Sequence, residues 1–299
     1  MFYRLKDVFN RSQLNRVLCG ILKTPPIKPD KHSTFALVSQ IREKDILMYL
    51  LAVKSFCLWL RPSHVKLLVD GKLSQKSSQM LNYHIPNVVI EPHRNYRKER
   101  CPTGGTWERL LALASHAQDS YVVQLDADTV TLAPLQEVHN CISAEKAFTL
   151  GSKQGQLVEF SDVISRRAKE SLSNGDTHIQ TLSESVLDKF MPSQEIKYIR
   201  GCSAFVGIPR GKISPDSVAD WAHILGHLIG SRWHEWGTEQ FMCNLLIANM
   251  ENSMVLPHPR YATCPNVSDE HTLFAHMAGF CRFSNHQYVG LAQRVIGML

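Results

Sequence analysis

Two aspartates one residue apart, Asp126 and Asp128, close the run Tyr121-Val-Val-Gln-Leu-Asp-Ala-Asp-Thr-Val-Thr-Leu132. The residues before them are apolar enough to bury, whereas a carboxylate is not buried without a partner. An apolar strand ending in Asp-x-Asp delivers both side chains to the carboxyl edge of a sheet, pointing the same way because strand residues alternate. In open α/β proteins that edge is where ligands bind. Two carboxylates there make a hard, oxygen-rich site suited to Mg²⁺ or Mn²⁺. Standing alone, Asp-x-Asp is equally an ordinary strand-to-turn junction, since Asp favours turns. The remaining residues must decide between the two.

The elements that would position this pair read as alternating strands and helices. Thr34-Phe-Ala-Leu-Val-Ser39 predicts a first strand, His64–Asp70 a second that ends in the turn pair Asp70-Gly71, and Pro86–Glu91 a third. Between them, Asp45–Trp59 carries apolar residues at helical spacing and stops near Arg61-Pro62. Gly104-Gly-Thr106 gives a loop and an N-cap for a helix through Trp107, Leu110, Leu111 and Leu113, which feeds the Asp126 strand. Later, Tyr198–Ile208 reads as a strand, and Asp216–Ile229 and Thr238–Met250 as helices. The polar stretch 152–195 reads as helices and a loop near the active site. This alternation predicts an α/β fold with a parallel, doubly wound sheet.

Composition narrows the class. The 299 residues are 44% hydrophobic and 20% charged, as in an ordinary globular protein, and no apolar run approaches a bilayer span. The N-terminus lacks the pattern of a secretory signal. The eight cysteines are scattered without a Cys-x-x-Cys pair, so reduced thiols in a cytoplasmic protein are expected. The sequons at Asn10 and Asn266 carry little information. Of the net charge of +6, residues 1–31 hold +5. There, Phe2, Leu5, Val8 and Phe9, then Leu14, Val17, Leu18, Ile21 and Leu22, recur at helical spacing before the Pro-rich segment Lys23–Lys31. We therefore expect a basic leader and linker over 1–31 and a single domain over 32–299. Residues 1–22 either dock on an anionic membrane surface or pack on the domain with their basic face in water. The near-neutral body argues against nucleic acid as a partner.

The order of motifs resembles the GT-A nucleotide-sugar glycosyltransferases, and within them the glycogenin-like and lipooligosaccharide galactosyltransferase group, family 8. Leu125-Asp-Ala-Asp-Thr-Val matches that family's strand-terminal Asp-x-Asp-Thr. His276-Met-Ala-Gly279-Phe-Cys-Arg282 resembles its His-x-x-Gly-x-x-Lys segment, with Arg for Lys, and Glu239-Gln240-Phe-Met-Cys-Asn244 resembles its Asp-Gln pair before a Leu-Asn step. The resemblance covers roughly 34–285. It implies a GT-A fold with a Rossmann-like, mostly parallel sheet flanked by helices and a smaller mixed C-terminal part. It also implies metal-dependent sugar transfer from a nucleoside-diphosphate sugar, UDP-linked by preference, to a glycan, glycolipid or protein acceptor.

By that resemblance Asp126, Asp128 and His276 hold Mn²⁺ or Mg²⁺, which stabilises the leaving diphosphate as a Lewis acid. Arg282 pairs with the phosphates, bidentate where Lys is a point charge, and Gly279 shapes the same segment. Ser39, after the first strand, and Asp70 match where the fold holds base and ribose. Arg109 stands where the family has a basic residue near the donor, and Ser203 lines the sugar pocket. Glu239, with Gln240, is either a general base for inversion or an orienting group for retention, the retaining course being preferred. Each also has a structural reading: Asp70-Gly71 as a turn, Arg109 as a solvated helix charge, Glu239 as a first-turn carboxylate on the helix dipole.

Competing readings use the same residues. Haloacid dehalogenase-type phosphatases carry Asp-x-Asp-x-Thr/Val, with Asp126 then the nucleophile and Asp128 the acid/base. That class puts the motif on its first strand and needs a second acidic pair after a later strand, whereas Asp216 and Asp220 open a helix. A nucleotidyltransferase would need a Gly-rich loop after the first strand, which Ser39-Gln-Ile-Arg-Glu-Lys lacks. A binding protein without turnover has no reason to keep Asp126, Asp128 and His276. His223-Ile-Leu-Gly-His227 has i, i+4 ligand spacing without the metalloprotease Glu and reads as helix packing. Gly151-Ser-Lys-Gln-Gly-Gln is not a phosphate loop.

Overall fold

The computed structural model describes residues 2–153, 155–191, 195–279, 281–284 and 286–299, with side chains from residue 9 onward. The chain runs through α1 (Phe2–Leu18), β1 (Phe35–Ile41), α2 (Ile46–Cys57), β2 (Val65–Val69), α3 (Gln75–His84) and β3 (Val89–Pro92). It continues through α4 (Trp107–His116), β4 (Tyr121–Leu125), β5 (Thr129–Thr131), α5 (Gln136–Ser143), β6 (Phe148–Leu150), β7 (Glu159–Phe160), α6 (Ser161–Ser173) and α7 (Ile179–Ser185). Then come β8 (Lys197–Tyr198), β9 (Cys202–Ile208), α8 (Pro215–Ile229), α9 (Thr238–Ala248) and β10 (Met254–Leu256). The last elements are β11 (Tyr261–Thr263), β12 (Phe274–His276), α10 (Cys281–Ser284) and α11 (Gln287–Met298). The class is α/β, with a mostly parallel sheet flanked by helices. Two compact units form, one from Met1–Pro92, Val123–Asn140 and Pro257–Leu299, the other from His93–Val122 and Cys141–Leu256.

In the first unit the strand order β4-β1-β2-β3 follows from apolar runs buried on both faces. β1, β2 and β3 are parallel, with Ile41 opposite Val69 and Val69 opposite Pro92. Helix α2 is apolar all round and almost wholly buried, as such a pattern demands. Its one lysine, Lys54, is buried and donates to Thr24 Oγ1 (2.7 Å) and to the carbonyls of Thr24 (3.2 Å) and Pro25 (2.5 Å). Burial pushes its ammonium down to about 8. The Pro-rich segment is thus pinned to α2. The basic helix α1 packs in the same unit: Leu14, Leu18 and Ile21 are buried, and Arg11 lies 3.9 Å over the Phe283 ring. The apolar positions Phe2, Leu5 and Val8 lie outside the residues whose side chains are described. No helix among the described residues is long and apolar enough to cross a membrane.

The smaller mixed part belongs to this unit. β12 pairs antiparallel with β5, His276 opposite Thr129, and parallel with β11, Thr263 opposite His276. Two of the eight cysteines expected to be reduced are bonded here, Cys264 to Cys281, with Cα atoms 6.2 Å apart. Sequence spacing hid this pair because 17 positions separate the two, and only the register of β11 on β12 brings them together. The other six cysteines are not disulfide-bonded.

In the second unit β10 is parallel to β6, and β6 is antiparallel to β9. Gly207 of β9 faces Phe148, where any side chain would collide with the Phe148 and Tyr121 rings. Helix α8 starts on a capping box, Ser214 with Ser217, and Pro215. The strand expected over 198–208 is broken into β8 and β9. At the break the Asn244 side chain donates to the Gly201 carbonyl (2.9 Å), and a side chain at Gly201 would press on the Leu150 carbonyl. Thr106 is the N-cap residue of α4, as expected, but it is left-handed at φ 74° and makes no side-chain capping bond. The stretch 152–195, read as helices and a loop, holds β7, α6 and α7 among its described residues.

Candidate functional site

The turn after β4 carries Asp126 and Asp128, and the backbone fixes it tightly. The Thr129 hydroxyl donates to the Asp126 carbonyl (2.8 Å), and the Met277 N–H donates to the Asp128 carbonyl (2.8 Å). The second bond joins the turn to the end of β12, which places His276 beside it. One ligand atom from each of Asp126, Asp128 and His276 lies within 4.8 Å of the others, with Asp126 partly exposed and the other two buried. His276 Nε2 is 3.5 Å from Asp128 Oδ1. Gly279, left-handed at φ 55°, turns the chain between β12 and α10, a conformation that suits glycine. Arg282 then reaches back to Asp128 Oδ2 through Nε (2.7 Å) and Nη2 (2.5 Å).

Electrostatics bind the group together. Burial alone would raise the Asp128 carboxyl, but His276 and Arg282 outweigh it and hold it at about 2. Asp128 therefore stays an anion, as a metal ligand must. Two carboxylate oxygens and an imidazole nitrogen, one of them open to solvent, fit a divalent cation by donor chemistry and spacing. Gln124, the lone polar residue of β4, donates to Asp126 Oδ1 (2.6 Å). Sequence reading passed over it, although a glutamine in an otherwise apolar strand two residues before the aspartate was a visible signal.

Arg109, Ser203 and Glu239 came forward separately from sequence and meet in the second unit. Arg109 Nη2 lies 3.1 and 3.2 Å from the two Glu239 oxygens and donates to Ser203 Oγ (3.0 Å). The Ser203 hydroxyl donates to Glu239 Oε2 (3.2 Å), and so does the Thr106 hydroxyl (2.8 Å). All three predicted residues are buried. The Trp107 indole N–H donates to Thr238 Oγ1 (3.0 Å), locking the starts of α4 and α9 together so that Arg109 and Glu239 must face. Arg109 is accordingly a buried ion-pair partner rather than a solvated helix charge. Thr106 holds the N-cap position of α4, but its hydroxyl goes to Glu239 and not to the helix backbone.

The remaining predicted residues have other partners. Ser39 is inside β1, paired with Leu67 of β2 and fully buried, because the strand runs on to Ile41 rather than ending before it. Asp70 follows β2 as expected and accepts from Arg42 Nε (2.7 Å). Gln240 is half-buried and faces Gln180 at 3.5 Å instead of joining Glu239. A buried acid was missed altogether: Glu184, on α7, which Arg200 approaches at 3.2 Å. Burial pushes its carboxyl up to about 7 against the pull of Arg200.

No family model matches the sequence, and no curated protein matches it. Solved structures to which the chain is similar include glycosyltransferases. One is the bifunctional glycosyltransferase WbbM, at 13% identity over 90% of this chain and 53% of that one, with a TM-score of 0.48. Another is mouse xyloside xylosyltransferase 1, at 10% identity over 84% and 99% with a TM-score of 0.45. The mannosyltransferase Ktr4p from S. cerevisiae follows, at 8% over 80% and 76% with a TM-score of 0.42. Likenesses this distant carry no weight for function, which has to rest on the residues of the site.

Proposed function

We propose that this protein is a metal-dependent glycosyltransferase that takes a sugar from a nucleoside-diphosphate donor, UDP-linked by preference. The observation that carries the reading is the convergence of Asp126, Asp128 and His276, with Arg282 clasping Asp128, from segments some 150 residues apart. A divalent cation held by the first three, Mn²⁺ or Mg²⁺, would supply Lewis-acid stabilisation of the leaving diphosphate. Arg282 is placed to exchange its Asp128 partner for diphosphate oxygens, and its fork suits that role. Gly279 gives the segment the turn it needs.

Glu239 and Gln240 enter on the family resemblance, as do Ser39 and Asp70 for the nucleoside and Ser203 for the sugar. Within the resemblance, the engagement of Glu239 by Arg109, Ser203 and Thr106 supports retention: its oxygens are committed to bonds that hold a fixed geometry, as an orienting group requires. The acceptor class is a glycan, glycolipid or protein. The family-8 assignment remains a resemblance. The cytoplasmic reading loses its original ground, since Cys264 and Cys281 are oxidised.

The test is a donor-hydrolysis screen across UDP-, GDP- and CMP-sugars with Mn²⁺ or Mg²⁺. Nucleotide release that needs the metal and is lost in Asp128→Ala is the expected result. Unchanged turnover in that variant, or release of phosphate from p-nitrophenyl phosphate in place of sugar transfer, would overturn it and favour a phosphatase with Asp126 as nucleophile.

A further inference from the structure

Helix α8 carries a second constellation that the proposed transfer does not use. Asp216, Asp220, His223 and His227 follow one another at spacings of four, three and four, which places them in one stripe on the helix. The segment leading to α4 lies along that stripe. Lys98 Nζ meets Asp216 Oδ1 at 2.7 Å, and Arg100 Nη1 meets Asp220 Oδ1 at 2.9 Å. Next along the stripe a cavity of about 510 Å³ is lined by Cys101 and Pro102 together with His223, His227 and His234.

The two imidazoles in that cavity are arranged for a shared ligand. Their Nε2 atoms are 3.3 Å apart, with the rings edge-to-face at 82°. Two nitrogens bound at about 2.0–2.1 Å to one tetrahedral ion stand roughly 3.3 Å apart. The observed spacing is therefore that of two adjacent ligands. Both side chains are exposed, so an ion has access. The nearest carboxylate on the stripe, Asp220, is already paired with Arg100. The donor set is thus imidazole, which favours Zn²⁺, Ni²⁺ or Cu²⁺ over the hard cations suited to a carboxylate site.

We infer that His223 and His227 form a two-histidine clamp for a borderline divalent transition-metal ion, separate in ligand chemistry from the Asp126–Asp128–His276 group. Among the described residues that group is the one set of three pre-arranged ligands, so the clamp is completed by solvent or by a small movement of Cys101 or His234. Where Cys101 completes the set, the bound ion adds a third tie between α8 and the 98–102 segment, after the two ion pairs. That segment runs directly into Gly104-Gly-Thr106, whose threonine holds Glu239.

Calorimetric titration of Ni²⁺ into the full chain tests the clamp, with Mn²⁺ titrated in parallel. Wild type should bind a Ni²⁺ equivalent that His223→Ala and His227→Ala each weaken by roughly 10²-fold, the chelate advantage of two linked ligands. The exposed His139→Ala control should retain it, and Mn²⁺ binding should be unchanged in all three. Ni²⁺ binding that survives both substitutions, or that responds to only one, would show that the histidines share a hydrogen bond and no metal. Loss of Mn²⁺ binding in the same variants would overturn the separateness of the two sites.

Discussion

The Asp128 cluster and the Glu239 cluster each set a buried carboxylate against an arginine, yet they differ in what is left over. Around Asp128, a second carboxylate and an imidazole stand close by, and Asp126 is open to solvent. Negative charge and ligand atoms exceed what Arg282 alone can satisfy. Around Glu239, one guanidinium and two hydroxyls meet one carboxylate, and the group is closed to solvent. A cluster with surplus donor atoms can take on a ligand. One whose carboxylate is engaged by its own neighbours holds its parts in place. The same ion pair thus serves recruitment in one region and rigidity in the other.

The largest expected effect breaks the comparison on its active side. Asp128→Ala should lower metal-dependent nucleotide-sugar turnover by at least roughly 10³-fold, with the circular dichroism of the folded protein and a modest stability loss, because the Arg282 it leaves behind is 33% exposed to water. Arg109→Ala should do the reverse first. It strands Glu239 as a buried unpaired charge, and we expect a stability loss of about 3–5 kcal/mol in urea unfolding. Equal stability losses in the two variants would remove the distinction.

A smaller effect concerns Glu184. Its folded pKa of about 7 lies above its ordinary value of 4.5, so the folded state holds the proton more tightly. The associated stability is full below about 4.5 and is lost as the pH rises through about 7. Glu184→Gln should flatten the melting temperature across that window and stabilise by on the order of 2 kcal/mol above it. A wild-type curve that stays flat or rises from pH 4.5 to 7, or a variant that falls as steeply as wild type, would contradict this assignment. Smallest is Arg282→Lys, the residue the family resemblance would expect. It should raise the donor KM about tenfold, with a lesser change in kcat, because a point charge replaces a fork.

Much of the scaffold was legible because burial imposes periodicity. The apolar run before Asp126, the helical spacing in α2 and the capping residues of α8 all leave local traces. The Asp-x-Asp and His276–Arg282 segments were legible as ordered motifs. Their meeting depends on β12 pairing with β5, a register no local pattern encodes. The Arg109–Glu239 pair spans 130 positions, so each residue could be flagged but not joined. Thr106 was legible as an N-cap position, but the bond from its hydroxyl to Glu239, 133 positions away, was not. Ser39 misled because a buried serine inside a strand looks like a strand end.

Arg282 sits on a four-residue helix, too short to persist without support. The residue immediately before it is Cys281, tied to Cys264. Closing that loop removes roughly 3 kcal/mol of chain entropy from the unfolded ensemble in the simple model of cross-links. A covalent tether therefore presents the arginine that answers Asp128 from 154 positions away. The maturation of this protein then includes an oxidation step, and the thiol chemistry of its surroundings helps decide whether Arg282 is in place to act.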